Sequence, residues 1–444
     1  VPTFAKLPLR ADPAGVNAPL VGGSRQSLAV TSDGALFTWG WNQKWSLGLG
    51  HQEGAKTAQR VEALEGVHVV QARCSYAFPL RVLCALAHAP RCAQACWGGW
   101  HGLAVTASGE AYAWGGNENM QAGAADAPSD AVPLPARVLP ALRVLQVAAG
   151  AMHSLALVEG GDVWGWGQPL TTWAPPAGGD SSNLYGKQRA PVRVAGAAGV
   201  VRIAAGAFHN LALTGGGHVL AWGNADYGQL GLGSTNHCAE PAVVQELSRA
   251  GVTALAAGGW HSAALTAGGV VYVWGRGEHG RLGLGDSWRD RLAPTELPLA
   301  ARAAAVSLGG THSCVITEDG TLLSCGRQSF GRLGRSNADN ANVPMPVELP
   351  PPPPGPAAMP RRWRIEAVSA GGRHTLALAR PVPDVPGGSH DAAAVRASSP
   401  APRAPSRRML GTESARASLS FNADEAAISK SPPKPTAMRP GPPA

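Results

Sequence analysis

One segment of the form Gly-x-x-His-x-apolar-Ala-apolar recurs along most of the chain, and its recurrence restricts the fold more than any other feature. It reads Gly98-Gly99-Trp100-His101-Gly102-Leu103-Ala104-Val105, then Gly150-Ala151-Met152-His153-Ser154-Leu155-Ala156-Leu157. It returns around His209, His261, His312 and His374. Another copy, Gly22-Gly23-Ser24-Arg25-Gln26-Ser27-Leu28-Ala29-Val30, carries Gln26 in the histidine position. Thirteen residues after this position stand Trp39, Trp114, Trp166, Trp222 and Trp274, each followed by glycine; after His312 the same offset meets Cys325-Gly326. Repeats at a long fixed period mean stacked supersecondary units rather than an ordinary domain.

The content of each unit is β. Asp33-Gly34, Ser108-Gly109, Gly268-Gly269 and Asp319-Gly320 stand between the histidine and tryptophan elements. Such pairs supply the positive φ that tight hairpin turns need. The flanking runs, as in Val270-Val271-Tyr272-Val273-Trp274, read as strands. A glycine-rich turn follows, Tyr227-Gly228-Gln229-Leu230-Gly231-Leu232-Gly233 or His279-Gly280-Arg281-Leu282-Gly283-Leu284-Gly285. Then comes a segment such as Pro294-Thr295-Glu296-Leu297-Pro298, suited to an edge strand because proline cannot donate to an inner ladder. Register spacings of 75, 52, 56, 52, 51 and 62 give units of about fifty residues with four strands each. Units of that kind repeated radially make a β-propeller. A composition of 57 glycines, 38 prolines and only 15% charged residues suits short strands and tight turns.

These elements resemble the repeat of the regulator of chromosome condensation family, best over residues 205–233 and 257–285. The resemblance implies an all-β, seven-bladed β-propeller over residues 1–380. It is specific for fold and much less so for function. The family includes exchange factors for small GTPases, an ultraviolet-B photoreceptor, ubiquitin-ligase subunits and scaffolds. The function expected from it is protein–protein interaction, with guanine-nucleotide exchange on a small GTPase as its sharpest form. A scaffold or adaptor module of a larger protein is the alternative, with chromatin binding behind both. The photoreceptor motif Gly-Trp-Arg-His-Thr survives here only as Gly372-Arg373-His374-Thr375, and Trp100 and Trp260 stand one position off it.

The repeat breaks in several places. Removing residues 73–95 restores a spacing of 52 before His101, so these residues read as a looped-out insertion within a strand. After Trp166-Gly167 the usual turn gives way to a variable loop, 168–189, holding Trp173, Asp180, Tyr185, Lys187 and Arg189. An irregular loop on a rigid repeat is the expected partner-binding element. The frame from His374 reaches Gly387 where tryptophan is due, and Val1-Pro2-Thr3 is similar to Ala293-Pro294-Thr295. An incomplete seventh blade and an unclosed ring are therefore expected, with the missing piece upstream of Val1. A proline-rich loop at 350–360 extends the last spacing, and residues 381–444, rich in Pro, Ala, Ser and Arg, read as a disordered tail.

The six register histidines and the five tryptophans are expected to be structural: histidines buried and bonded to neighbouring backbone, tryptophans forming core between blades. No catalytic residue, cofactor or metal is assigned. Cys74, Cys84, Cys92 and Cys96 lack paired ligand spacing. The net charge of +8 admits an acidic partner, but no dense basic stripe points to nucleic acid or chromatin. Seven cysteines without a leader, and no apolar run of spanning length, point to an intracellular protein, cytoplasmic or nuclear.

Overall fold

Apolar runs of five or six residues cut by glycine turns are too short for helices, and they pair as antiparallel strands. In the structure, a computed structural model, the described residues are 20–383 apart from 32–33, 68, 70–94, 98, 124–129, 169–187, 287, 337–338 and 353–360. Blade 1 contains β1 (Leu20–Gly22), β2 (Gln26–Val30), β3 (Leu36–Gly40) and β4 (Ala55–Arg60). Blade 2 contains β5 (Ala95–Trp97), β6 (His101–Val105), β7 (Ala111–Gly116) and β8 (Ala131–Val138). Blade 3 contains β9 (Val144–Ala149), β10 (His153–Val158), β11 (Val163–Gly167) and β12 (Gln188–Arg193). Blade 4 contains β13 (Val200–Ala205), β14 (His209–Thr214), β15 (Val219–Gly223) and β16 (Cys238–Val243). Blade 5 contains β17 (Val252–Ala257), β18 (His261–Thr266), β19 (Val271–Gly275) and β20 (Arg291–Glu296). Blade 6 contains β21 (Ala303–Leu308), β22 (His312–Thr317), β23 (Leu322–Gly326) and β24 (Ala341–Pro346). The last pair, β25 (Arg361–Ala370) and β26 (Thr375–Pro383), forms a two-stranded sheet. Among the described residues the fold is thus an all-β propeller with six four-stranded blades and one hairpin.

Each blade is a simple meander, so its neighbouring strands run antiparallel. In the six four-stranded blades the histidine position opens the second strand and faces a glycine at the end of the third: His153 pairs with Gly167, His209 with Gly223, His261 with Gly275. The first strands touch one another in a closed cycle, β1–β5–β9–β13–β17–β21–β25–β1. This corrects the expectation of an unclosed ring. The blade-to-blade contact passes through first strands, so a hairpin suffices to close the inner circle.

The core lies between blades. Trp166 of blade 3 packs with Leu103 and Ala113 of blade 2, and Trp274 of blade 5 with Leu211 and Ala221 of blade 4. Trp114, Trp166, Trp222 and Trp274 are fully buried. Each such ring brings roughly 4–6 kcal/mol of transfer free energy. Trp39 departs from the expected core role, since it is only partly buried. By the pattern in which Trp166 and Trp274 pack on the preceding blade, its junction is the one with the hairpin, which has two strands where the other sheets have four.

Val69 bridges Thr106, and the strand resumes at Ala95, paired with Ala104. Ala95, placed inside the insertion by the spacing argument, is therefore already in the ladder. Cys96 is in β5, while Cys74, Cys84 and Cys92 lie outside the described residues. So do 353–360 and 384–444, which include most of the proline-rich loop and all of the expected tail except residues 381–383, which end β26 and move its boundary to 384.

Candidate partner-binding face

The register histidines join blades. His101 Nε2 lies 2.8 Å from Ser154 Oγ, His209 Nε2 2.8 Å from Ser262 Oγ, and His261 Nε2 3.0 Å from Ser313 Oγ. His312 reaches Thr375 Oγ1 at 2.9 Å, His153 reaches Asn210 Oδ1 at 2.8 Å, and His374 reaches Ser27 Oγ at 3.1 Å. Each partner belongs to the next sheet, so the expected bond to neighbouring backbone is replaced by a side chain across the blade junction. The hydroxyls spend their own proton elsewhere. Ser262 Oγ donates to Gln229 O at 2.7 Å, and Trp274 Nε1 donates to the same carbonyl at 2.9 Å. Ser154 and Trp166 share Gln121 O in the same way. A hydroxyl that has donated can only accept, so the histidine carries its proton on Nε2.

That tautomer leaves Nδ1 bare and turned toward a glycine of its own blade. A Cβ on Gly206 would come within 2.5 Å of His209 Nδ1, so a side chain there would collide with the ring. Burial, joined by the nearby His153, pushes His101 and His209 down to about 3. Burial pushes His153 down to about 4 against its bond to Asn210, and pushes His374 to about 4 with help from Arg332. His261 and His312 are held well below their ordinary value by burial and by the charges of Arg281 and Arg332. These are neutral clamps, unsuited to proton transfer near pH 7.

Arg281 and Arg332 occupy the slot that Gln229 fills in blade 4. Their buried guanidinium groups reach across the junction, Arg281 Nη1 to Gly310 O at 3.2 Å and Arg332 Nη1 to Gly372 O at 3.3 Å. Cys314 and Cys325 sit buried on adjacent strands, and burial raises both thiols to about 12, so neither is a nucleophile.

The surface chemistry gathers at one end. In an antiparallel meander, the loops joining first to second strands and those joining third to fourth strands emerge at the same end. The first set, which we call the axial loops, is stitched together by backbone hydrogen bonds. Gly99 N donates to Gly150 O at 3.3 Å, Ala151 N to Ala207 O at 3.1 Å, and Ala207 N to Gly258 O at 3.2 Å. Gly259 N donates to Gly309 O at 3.2 Å, Gly310 N to Gly371 O at 3.3 Å, and Gly372 N to Gly23 O at 2.8 Å. The residue before each register position sits on this rim: Arg25, Trp100, Met152, Phe208, Trp260, Thr311 and Arg373. Trp100, Met152, Phe208 and Trp260 are partly exposed and make an apolar arc over blades 2 to 5, while Arg373 and Arg25 make a basic arc over the hairpin and blade 1.

Residues just beyond the Trp-Gly element flank this rim. Asn224 N donates to Phe208 O at 2.8 Å and Arg276 N to Trp260 O at 2.8 Å. Guanidinium groups lie over rings throughout: Arg25 over Trp41 at 4.3 Å, Arg276 over Tyr227 at 4.4 Å, Arg373 over Phe330 at 5.3 Å. Trp41 and Trp100 rings are 5.5 Å apart, Phe208 and Trp260 rings 5.8 Å. Phe330 is 74% exposed with a φ of 64°. Lys44, Trp45, Met120 and His279 in the matching turns also have positive φ. Strained, exposed side chains of this kind concentrate at ligand-contacting sites.

Most of the partner loop expected from the sequence lies outside the described residues. Arg189 lies within the strand β12, and Trp173, Asp180, Tyr185 and Lys187 lie outside the described residues. Reading the residue before each register histidine down the repeat would have found the rim.

The sequence pattern of the RCC1-like domain family matches residues 16–377. The chain is 29% identical over 332 residues to the ultraviolet-B receptor UVR8 of Arabidopsis thaliana, covering 73% of this chain and 68% of UVR8. It is 30% identical over 363 residues to the E3 ubiquitin-protein ligase HERC2 of Homo sapiens, covering 81% of this chain but 7% of HERC2. Among solved structures, Prp20p from Saccharomyces cerevisiae, studied for binding to Gsp1p and histones, superposes with a TM-score of 0.66 at 22% identity, covering 82% of each chain. Human WBSCR16 superposes with a TM-score of 0.67 at 21% identity, covering 85% of this chain and 89% of that one.

Proposed function

The chain belongs to the RCC1-like domain family, and from that premise we propose that it is a protein-binding regulator whose sharpest activity is guanine-nucleotide exchange on a small GTPase. The observation that carries this reading is the axial rim. Axial loops joined by backbone hydrogen bonds from blade 2 round to blade 1 present aromatic and arginine side chains, the types that dominate protein interfaces. Support also comes from Prp20p, which shares the fold and binds Gsp1p and histones.

Exchange needs no covalent step and no cofactor. The propeller would hold the nucleotide-free partner more tightly than the nucleotide-bound one, and the difference in affinity would drive release. The hairpin serves as an incomplete seventh blade of a seven-bladed ring. The segment 168–189, with Trp173, Asp180, Tyr185, Lys187 and Arg189, adds a second contact. No helix among the described residues is long and apolar enough to cross a membrane. The working compartment in this reading is the cytoplasm or nucleus.

The test is release of a fluorescent nucleotide from a panel of small GTPases mixed with the full chain. Accelerated release from one member is the expected result. Unchanged release from all of them would leave the scaffold reading in its place.

A further inference from the structure

We propose that the axial rim recognises an acidic protein segment carrying bulky apolar side chains, taken up with its carboxylates over Arg25 and Arg373 and its apolar residues over Trp100, Phe208 and Trp260. This rests on the protein-binding reading above and gives its partner a chemistry and a place.

The rim is amphipathic by position. Its side chains come from one repeat slot, so the hydrogen-bonded axial loops fix their order around the ring. Four consecutive members are apolar and partly exposed; Phe208 and Trp260 are in ring contact, and Trp100 is in ring contact with Trp41 beside the arc. The other arc contains Arg373 and Arg25, joined through Gly372 N to Gly23 O at 2.8 Å. The seven axial loops contain these two arginines and no acidic residue.

The arginines are already preorganised. Arg373 lies over Phe330 and Arg25 over Trp41, so both forks are steered by a ring face and lose little freedom on meeting a carboxylate. Arg276, over Trp260 at 5.7 Å, is paired with Glu278 at 2.5 Å and marks the edge of the basic region. A basic segment would meet like charge on one arc, and a purely acidic one would leave the apolar arc wet. Only a segment with both characters satisfies the whole rim.

The probes are fluorescein-labelled peptides: a glutamate-rich one with a central Leu-Trp-Leu, its lysine-for-glutamate counterpart, and a version with serine for the apolar residues. Fluorescence anisotropy with the full chain should show saturable, salt-sensitive binding of the first peptide alone. Arg25→Glu and Arg373→Glu should each weaken it about tenfold. Phe208→Ala and Trp260→Ala should weaken it by a similar factor. Arg25 is exposed, so its variant keeps the test valid if the others fold poorly. Equal binding of the lysine peptide, or acidic binding that survives both charge reversals, would overturn the proposal. If no peptide binds while nucleotide release is accelerated equally by the native chain and by both reversals, the acidic-segment inference fails and the protein-binding reading stands.

Discussion

The junction between blades 4 and 5 and that between blades 1 and 2 are built on one plan and differ in three residues. At the first, His209, Ser262, Gln229 O and Trp274 Nε1 form a continuous set of hydrogen bonds. At the second, Gln26 replaces histidine, Gly102 replaces serine, and Ser46 stands in the turn where Gln229 does. Trp114 still donates to the turn, at Ser46 O and 2.9 Å, but Gln26 Nε2 turns back to its own blade and bonds Ser46 Oγ at 3.1 Å. A Cβ on Gly102 would lie 2.5 Å from the Trp114 ring, so the ring occupies the space the serine would need. The clamp is present or absent as a unit. With neither donor nor acceptor, the junction is filled by indole instead, and no buried polar group is orphaned.

The contrast can be tested most strongly with pH. Above about pH 6.5 imidazoles are neutral in both folded and unfolded chains, so they add no pH dependence. Below that value the unfolded chain takes up protons that the clamped rings refuse, and stability falls as pH falls toward the depressed folded values. Each ring contributes about 1.4 kcal/mol per pH unit across that window, and six together about 8 kcal/mol. Urea midpoints should be level from about pH 8 to 7 and drop steeply from about 6.5 downward. A flat profile down to about pH 5 would mean the rings are not buried as neutral donors.

Tryptophan truncation comes next in size. Trp274→Ala empties a closed junction and should cost about 4 kcal/mol, whereas Trp39→Ala, at the hairpin seam where the ring is partly exposed, should cost about 1–2 kcal/mol. Equal losses in denaturant titrations would erase the difference between complete and hairpin-flanked junctions. At the clampless junction, Gly102→Ser should cost about 2 kcal/mol by overpacking against Trp114. Adding Gln26→His should fail to restore stability, and a fully rescued double variant would show that the clamp can be rebuilt piecewise. The smallest effect is expected from Ser262→Ala, about 1–2 kcal/mol, from leaving His209 Nε2–H without its acceptor.

Much of this architecture was legible in the residues. The constant offset from His153 to Trp166 and from His261 to Trp274 gave the hairpins, and the prolines gave the edge strands. What the one-dimensional pattern hid was which groups meet across blades. His209 and Ser262 belong to different repeats, and nothing in either repeat alone says that Nε2 of one seeks Oγ of the next. Closure was misjudged for a related reason: strands were counted, while the ring depends on first strands and axial loops alone. The rim was missed because exposed aromatics were weighed one at a time as Trp100 and Trp260, instead of as one slot running from Arg25 through Phe208 to Arg373. The variable loop around Trp173 drew attention because it breaks the repeat, yet the amphipathic rim lies in slots that keep it.

If the register histidines serve only to hold the ring, leaving recognition to the rim, their ring nitrogens must be fixed. Selective ¹⁵N labelling of histidine with long-range correlation spectra measures this directly. Six imidazoles are expected as the neutral Nε2–H form, unchanged from about pH 7 down to about pH 5. Titration of those six near the ordinary histidine value, or a proton on Nδ1, would contradict the clamp.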